Sequence, residues 1–231
     1  MTTTRRYRMK ASKKTIASPP LLIKSSLAEQ LKNEIVRGNL PQGSRIIEKF
    51  WASKFGVAQT SVREAINILI SEGFATKNSG RSARVSSYSP EKVAQIYEVR
   101  AALEGMAARI LTQSGQDLSA LEHAIANMAK SIKSKDLTAL LEADLRFHLQ
   151  LCELTGNEVL SQHARMLLVP LFAFVSMRLG GNATLATAWK PDLERHRAMV
   201  RAIAEGEASI AELTVRNAIL RFADHANQIW R

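Results

Sequence analysis

The sequence predicts a mainly α-helical chain in two parts: a small N-terminal unit of three helices closed by a short hairpin, then a C-terminal antiparallel bundle of six or seven helices. Three observations carry this reading. Apolar residues recur at three- and four-residue spacing along most of the chain, and beyond residue 89 no strand pattern appears. The positive charge lies at one end: residues 1–88 hold sixteen Lys and Arg against five Asp and Glu, which is the whole formal charge of +11, whereas 89–231 balances at sixteen of each. With 46% hydrophobic and 23% charged residues over 231 positions, the composition is that of a soluble globular protein able to bury its own core. Such asymmetry points to a polyanion-binding unit joined to a neutral unit with another task.

Residues 1–20 hold Arg5, Arg6, Arg8, Lys10, Lys13 and Lys14 with no acid and close on Pro19-Pro20, which reads as a basic flexible tail, either a solvated terminus or an arm that follows a polyanion. The unit over 21–88 starts with a helix from Ser25, with Leu27, Leu31, Ile35 and Val36 on its apolar face, and a turn at Gly38 to Gly43 ends it. A second helix over about Ile47 to Lys54 breaks at Gly56. A third runs from about Gln59 to Glu72 with Val62, Ala65, Ile66, Leu69 and Ile70 inward. Two helices joined by a tight glycine turn make a helix-turn-helix. Phe74 to Lys77 and Arg84 to Ser87 then flank a basic tip, forming a hairpin wing, so the predicted unit is a winged helix-turn-helix.

Gln59, Thr60, Ser61 and Arg63 open the third helix, where a recognition helix presents side chains to base edges and its amides to phosphate. Arg45 before the second helix, and Arg81 with Ser82 in the wing, flank the same duplex. Glu29 to Val85, through LPQGSRI and SKFGVAQTSVREAINILISEGFAT, resembles the winged-helix domain of the GntR family of bacterial transcription regulators. The resemblance implies that Arg45, the pair opening the third helix, Arg63 and the wing tip hold operator DNA. This chain departs from the family pattern at Gln59 for an arginine, Ser61 for a proline and Ser82 for a wing glycine. Glutamine can still bond adenine at two points, so the departures bear on the operator sequence more than on DNA binding.

The bundle over 89–231 begins at Ser89-Pro90-Glu91, with breaks near Gly115, Lys135, Gly156, Gly180 and Gly206. In the helix from about Leu137 to Leu154, the apolar stripe passes through Asp144 and His148, one turn apart on one face. His196 sits on another stripe, and Arg100 with Glu104 interrupts a third. Isolated buried charge is expensive, so these groups are paired, metal-bound or turned to a cavity. A carboxylate and an imidazole one turn apart can chelate an ion, a histidine from a facing helix can add a third ligand, and the planar fork of Arg100 suits a carboxylate. The segments YEVRAALEGMAAR, DLRFHLQLCELTGN and LERHRAMVRAIAEGE resemble the helical ligand-binding domain (FCD type) of the FadR subgroup. That resemblance implies Asp144, His148 and His196 as ligands of a divalent metal, zinc by default, with the fourth ligand position falling on Ala218. Two arrangements stay open: three ligands plus water and effector, or a site without metal that binds its effector directly.

The expected function is a transcription regulator, read as a repressor, that acts as a homodimer on a two-fold operator and is controlled by a small organic acid. An enzyme would need a nucleophile, a cofactor loop or a phosphate cradle, and none is legible: the lone Cys152 stands in no triad. A constitutive DNA-binding protein would need no pocket, against which stand Arg100, Asp144, His148 and His196 on apolar stripes. The lone cysteine, the lack of a long apolar run and a start without a signal core lead to an expected cytoplasmic, reduced location with no membrane partner.

Overall fold

A computed structural model describes residues 20–78, 82–179 and 190–230. Its elements are α1 (Pro20–Val36), α2 (Glu48–Phe55), α3 (Gln59–Ser71), β1 (Ala75–Thr76), β2 (Arg84–Val85), α4 (Pro90–Ser114), α5 (Ser119–Ser134), α6 (Leu137–Glu153), α7 (Glu158–Leu179), α8 (Lys190–Ala204) and α9 (Ala208–Trp230). The first helix starts at Pro20, five residues ahead of the periodic signal, because proline's fixed φ and missing N–H suit a helix start. Residues 1–19, Arg81 and the expected break at Gly180 lie outside the described residues.

In the N-terminal part, α1 packs on α3 through Leu27, Leu31 and Ile35, all buried. Gly56, at φ 66°, ends α2 in the left-handed region and sets the turn into α3, which any Cβ would strain. The wing is short: Ala75 pairs with Val85 and Thr76 with Arg84 in antiparallel register. The chain before α2 widens it, since Ile46 donates its backbone N–H to Ala83 (2.9 Å) and Val85 donates to Ser44 (3.0 Å). Arg45 therefore belongs structurally to the wing as well as to the approach to α2.

The C-terminal part has six helices among the described residues, α4 to α9. Ser89 caps α4 as the sequence predicts, its Oγ accepting from the Lys92 N–H, with Pro90 at the first helical position. Asp136 and Asn157 do the same for α6 and α7. The first and last helices pack along each other, and Gly105 permits it: a Cβ there would come within 2.4 Å of Arg216 Cγ. Helix α7 is long and apolar enough to cross a membrane by length and composition. Its Leu160, Ala164, Leu168, Leu171, Phe174 and Val175 are instead packed as core.

The two parts meet on α7. Pro170 within that helix has no N–H, so the Met166 carbonyl lacks its usual helical donor. Gly73, directly after α3 and at φ 80°, lies against that carbonyl, where a Cβ would sit 3.0 Å from the oxygen. Phe174 of the same helix stands 4.7 Å from the Tyr88 ring and 6.3 Å from Phe74, centroid to centroid.

Candidate functional site

Helix α3 is two-faced. Val62, Ala65, Ile66 and Leu69 are buried, while Gln59, Thr60 and Arg63 are exposed and Ser61 is half-exposed. Its N-cap, Ala58, carries no side-chain acceptor, so the positive end of the helix is left for an external anion. Arg45 Nη2 donates to Ser82 Oγ at 2.7 Å, which joins two of the sequence-predicted residues across the wing. Between wing and helix lies a shallow depression lined by Arg45, Glu48, Gln59, Arg63, Lys77 and Ser82. The sequence reading missed Glu48. Its carboxylate accepts from Arg63 Nε at 3.1 Å and Nη2 at 2.8 Å, and from Gln59 Nε2 at 3.2 Å. These bonds hold the Glu48 carboxyl below its ordinary pKa and raise that of Arg63.

The second cluster lies inside the bundle. Asp144 and His148 from α6 and His196 from α8 are all buried, as are Arg100 and Glu104 from α4. The stripe that carries Asp144 and His148 turns them inward because Leu137, Leu141 and Leu151 on the same face are core. Three atoms converge: His148 Nε2 is 3.1 Å and His196 Nε2 3.0 Å from Asp144 Oδ1, and the two Nε2 atoms are 3.2 Å apart. The far nitrogens are both engaged. His148 Nδ1 lies 2.6 Å from Glu104 Oε2, and His196 Nδ1 lies 2.7 Å from the Asp192 carbonyl oxygen. Both partners are acceptors, so each Nδ1 carries a proton and each Nε2 of a neutral ring turns a lone pair to the common centre.

Three lone-pair atoms at that spacing need a positive centre between them. A proton on His148 is one answer. Burial opposes the imidazolium but is outweighed by Glu104 and Asp144, which raises the His148 pKa. Burial likewise works against the Asp144 carboxylate, yet the two imidazoles bring its pKa far below the ordinary range. A divalent ion is the other answer. The donor set fits it, since imidazole held by a carboxylate or carbonyl behind it is the usual environment of a ligating histidine, and Asp144 Oδ1 has no hydrogen-bond partner although fully buried. Among the described residues these three form the group able to hold a metal.

Arg100 was expected to face an effector carboxylate. Part of its guanidinium is taken: Nε donates to Glu104 Oε1 at 2.9 Å, and the plane lies over Tyr97 (4.7 Å) and Phe172 (5.6 Å). Its Nη2 is buried without a partner. Glu104 thus bridges Arg100 and His148, a role the sequence signalled only as a charge on an apolar stripe. Phe222 of α9, 5.2 Å from the His196 ring and nearly parallel to it, closes the site. Ala218 lies one turn before Phe222, on the face of α9 turned to the histidines, and is buried.

Comparison with known proteins matches both parts of the chain to family models. Residues 95–221 match the FCD domain model, and 23–85 match the model for bacterial regulatory proteins of the gntR family. The chain is 28% identical over 131 residues to the HTH-type transcriptional regulator YdhC of Bacillus subtilis (strain 168), a match that spans 55% of this chain and 58% of that protein. It is 24% identical to the HTH-type transcriptional repressor GlaR of Escherichia coli (strain K12), covering 82% of this chain and 89% of that one. The solved E. coli McbR/YncC has the same fold, with a TM-score of 0.71 at 18% identity over 90% of this chain and 99% of that one. A winged helix-turn-helix matched by the gntR-family model, joined to a helical unit matched by the FCD model, places this chain in the GntR family of bacterial regulatory proteins that carry an FCD domain, and it is a transcription regulator.

Proposed function

We propose that this regulator is a cytoplasmic repressor that binds operator DNA as a homodimer through residues 21–88 and is released by a small organic acid held in the unit over 89–231. Arg45, Gln59, Thr60, Ser61, Arg63 and Ser82, with Arg81 in the wing tip, form the DNA contact. Asp144, His148 and His196 hold a divalent metal, zinc by default, which would supply a Lewis-acidic position for an effector carboxylate. One observation carries the reading: three buried donor atoms converge within 3.2 Å, and the Glu104 carboxylate links them to Arg100, whose buried Nη2 has no partner. With a divalent ion in place of the proton, the cluster of Arg100, Glu104 and Asp144 keeps one excess positive charge, which a carboxylate offsets. Arg100 would orient that anion through its unpartnered Nη2, and Glu104 fixes both Arg100 and the tautomer of His148.

Helix α7 offers the route to the DNA. Phe172 packs 6.1 Å from His148 and under Arg100, while Phe174 and Pro170 seat the DNA-binding part. Dimerisation is supported by Val99 and Met106 of α4 and Leu213 and Leu220 of α9, exposed apolar residues seven apart on two helices that lie together.

The test is fluorescence anisotropy on a duplex selected by the protein, with a panel of short mono- and dicarboxylates added, and native mass spectrometry for dimer and metal. At least one acid is expected to release the duplex. Arg100→Ala is expected to weaken that acid by about 2 kcal/mol, roughly thirtyfold, with metal retained. Phe174→Ala is expected to keep both ligands and lose much of the coupling between them. Acids that bind without changing DNA affinity would contradict this reading.

A further inference from the structure

Glu48 is the acid that lines the depression between the wing and α3, among cationic and polar neighbours. A carboxylate there repels phosphate, so its presence calls for a compensating task. Its contacts supply one. A single carboxylate takes Nε and one Nη2 proton of Arg63 and one Nε2 proton of Gln59, and all three residues belong to the helix-turn-helix. Of the five guanidinium protons, the second on Nη2 and one on Nη1 form the end edge of the fork, which Glu48 leaves open. That edge matches guanine O6 and N7. On Gln59 one N–H and the carbonyl remain, the donor and acceptor pair that matches adenine N7 and N6.

We infer that Glu48 is the positioning residue for base readout: it holds Arg63 for a guanine and Gln59 for an adenine, and keeps Arg63 from the nearest phosphate. This rests on the operator-binding reading above and adds to it the class of sequence and the residue that sets discrimination. Arg63 is 55% exposed on its side chain, so without the carboxylate its guanidinium is free to swing to the backbone, where a cation contributes affinity but no sequence information.

The experiment selects binding sites from a randomised duplex library with the full-length wild type, Glu48→Gln and Glu48→Asp, each first checked for fold by circular dichroism and thermal melting. The wild-type half-site is expected to contain one strongly preferred guanine and one adenine. Arg63→Ala and Gln59→Ala are each expected to lose one of these preferences, and Glu48→Gln both together. On random duplex, Glu48→Gln is expected to bind two- to tenfold more tightly, with a salt slope steeper by about one, while the ratio of selected to random affinity falls at least tenfold. Glu48→Asp keeps the charge but is too short to reach both partners, so it is expected to lose base preference without gaining affinity for random duplex. Base preferences unchanged in Glu48→Gln, or an equal loss on selected and random duplex with a lowered melting temperature, would make Glu48 a structural acid and overturn the inference. A wild type that enriches no sequence overturns the operator reading itself and this inference with it.

Discussion

Zinc added to the metal-stripped protein is expected to raise its melting temperature by roughly 5–10 °C at about a hundredfold excess over Kd, because an ion that binds only the folded state contributes about 2.7 kcal/mol there. His148→Ala is expected to remove both the metal in elemental analysis and the stabilisation. The sign of the pH dependence follows from the site. Binding requires neutral His148, whose proton affinity Glu104 and Asp144 have raised, so protons compete to a higher pH than at an ordinary histidine. Metal affinity should therefore fall steeply with acid and rise through neutral pH. Ala218→His, on the face of α9 that closes the site, is expected to tighten metal binding by adding a ligand. If the wild type takes no ion and Ala218→His does, the site holds its effector through Arg100 without metal. If neither takes an ion, the three residues are a buried hydrogen-bonded core.

Raising salt from 50 to 200 mM is expected to weaken operator binding by about a thousandfold or more, with a slope of log K on log salt of about −5 to −9 for a dimer. The cause is the net charge of +11 on residues 1–88, against zero on 89–231. Removing residues 1–20 should flatten the slope on random duplex more than it lowers operator discrimination, since contacts of arginine and lysine to phosphate carry no sequence information. Arg63→Ala should instead cost about 1–3 kcal/mol on the operator with little change in melting temperature, because its side chain is mostly exposed. Electrophoretic shifts over a salt series measure both, and a flat salt response would contradict the DNA interface.

The sequence by itself determined the order of the elements and the inward direction of the chemically active residues. The helical period is local, so Asp144 and His148 on a stripe with Leu137, Leu141 and Leu151 had to face the core, as the structure has them. Caps and breakers at Gly56, Ser89 and Asp136 are likewise local. The exposure of Gln59 and Arg63 at the start of α3 follows from the same local period, since Val62, Ala65, Ile66 and Leu69 take the buried face. Only the tertiary structure decided which of these buried groups meet. Glu104 reaches His148 across 44 positions, and His196 meets His148 across 48, distances over which sequence spacing carries no information. Glu48 was hidden similarly: an acid in the first turn of α2 reads as a helix-dipole partner until packing brings Arg63 and Gln59 onto it. The seat of Gly73 against the Met166 carbonyl was invisible too, because a proline inside a helix marks a missing helical donor locally, while the residue that packs there comes from another part of the chain.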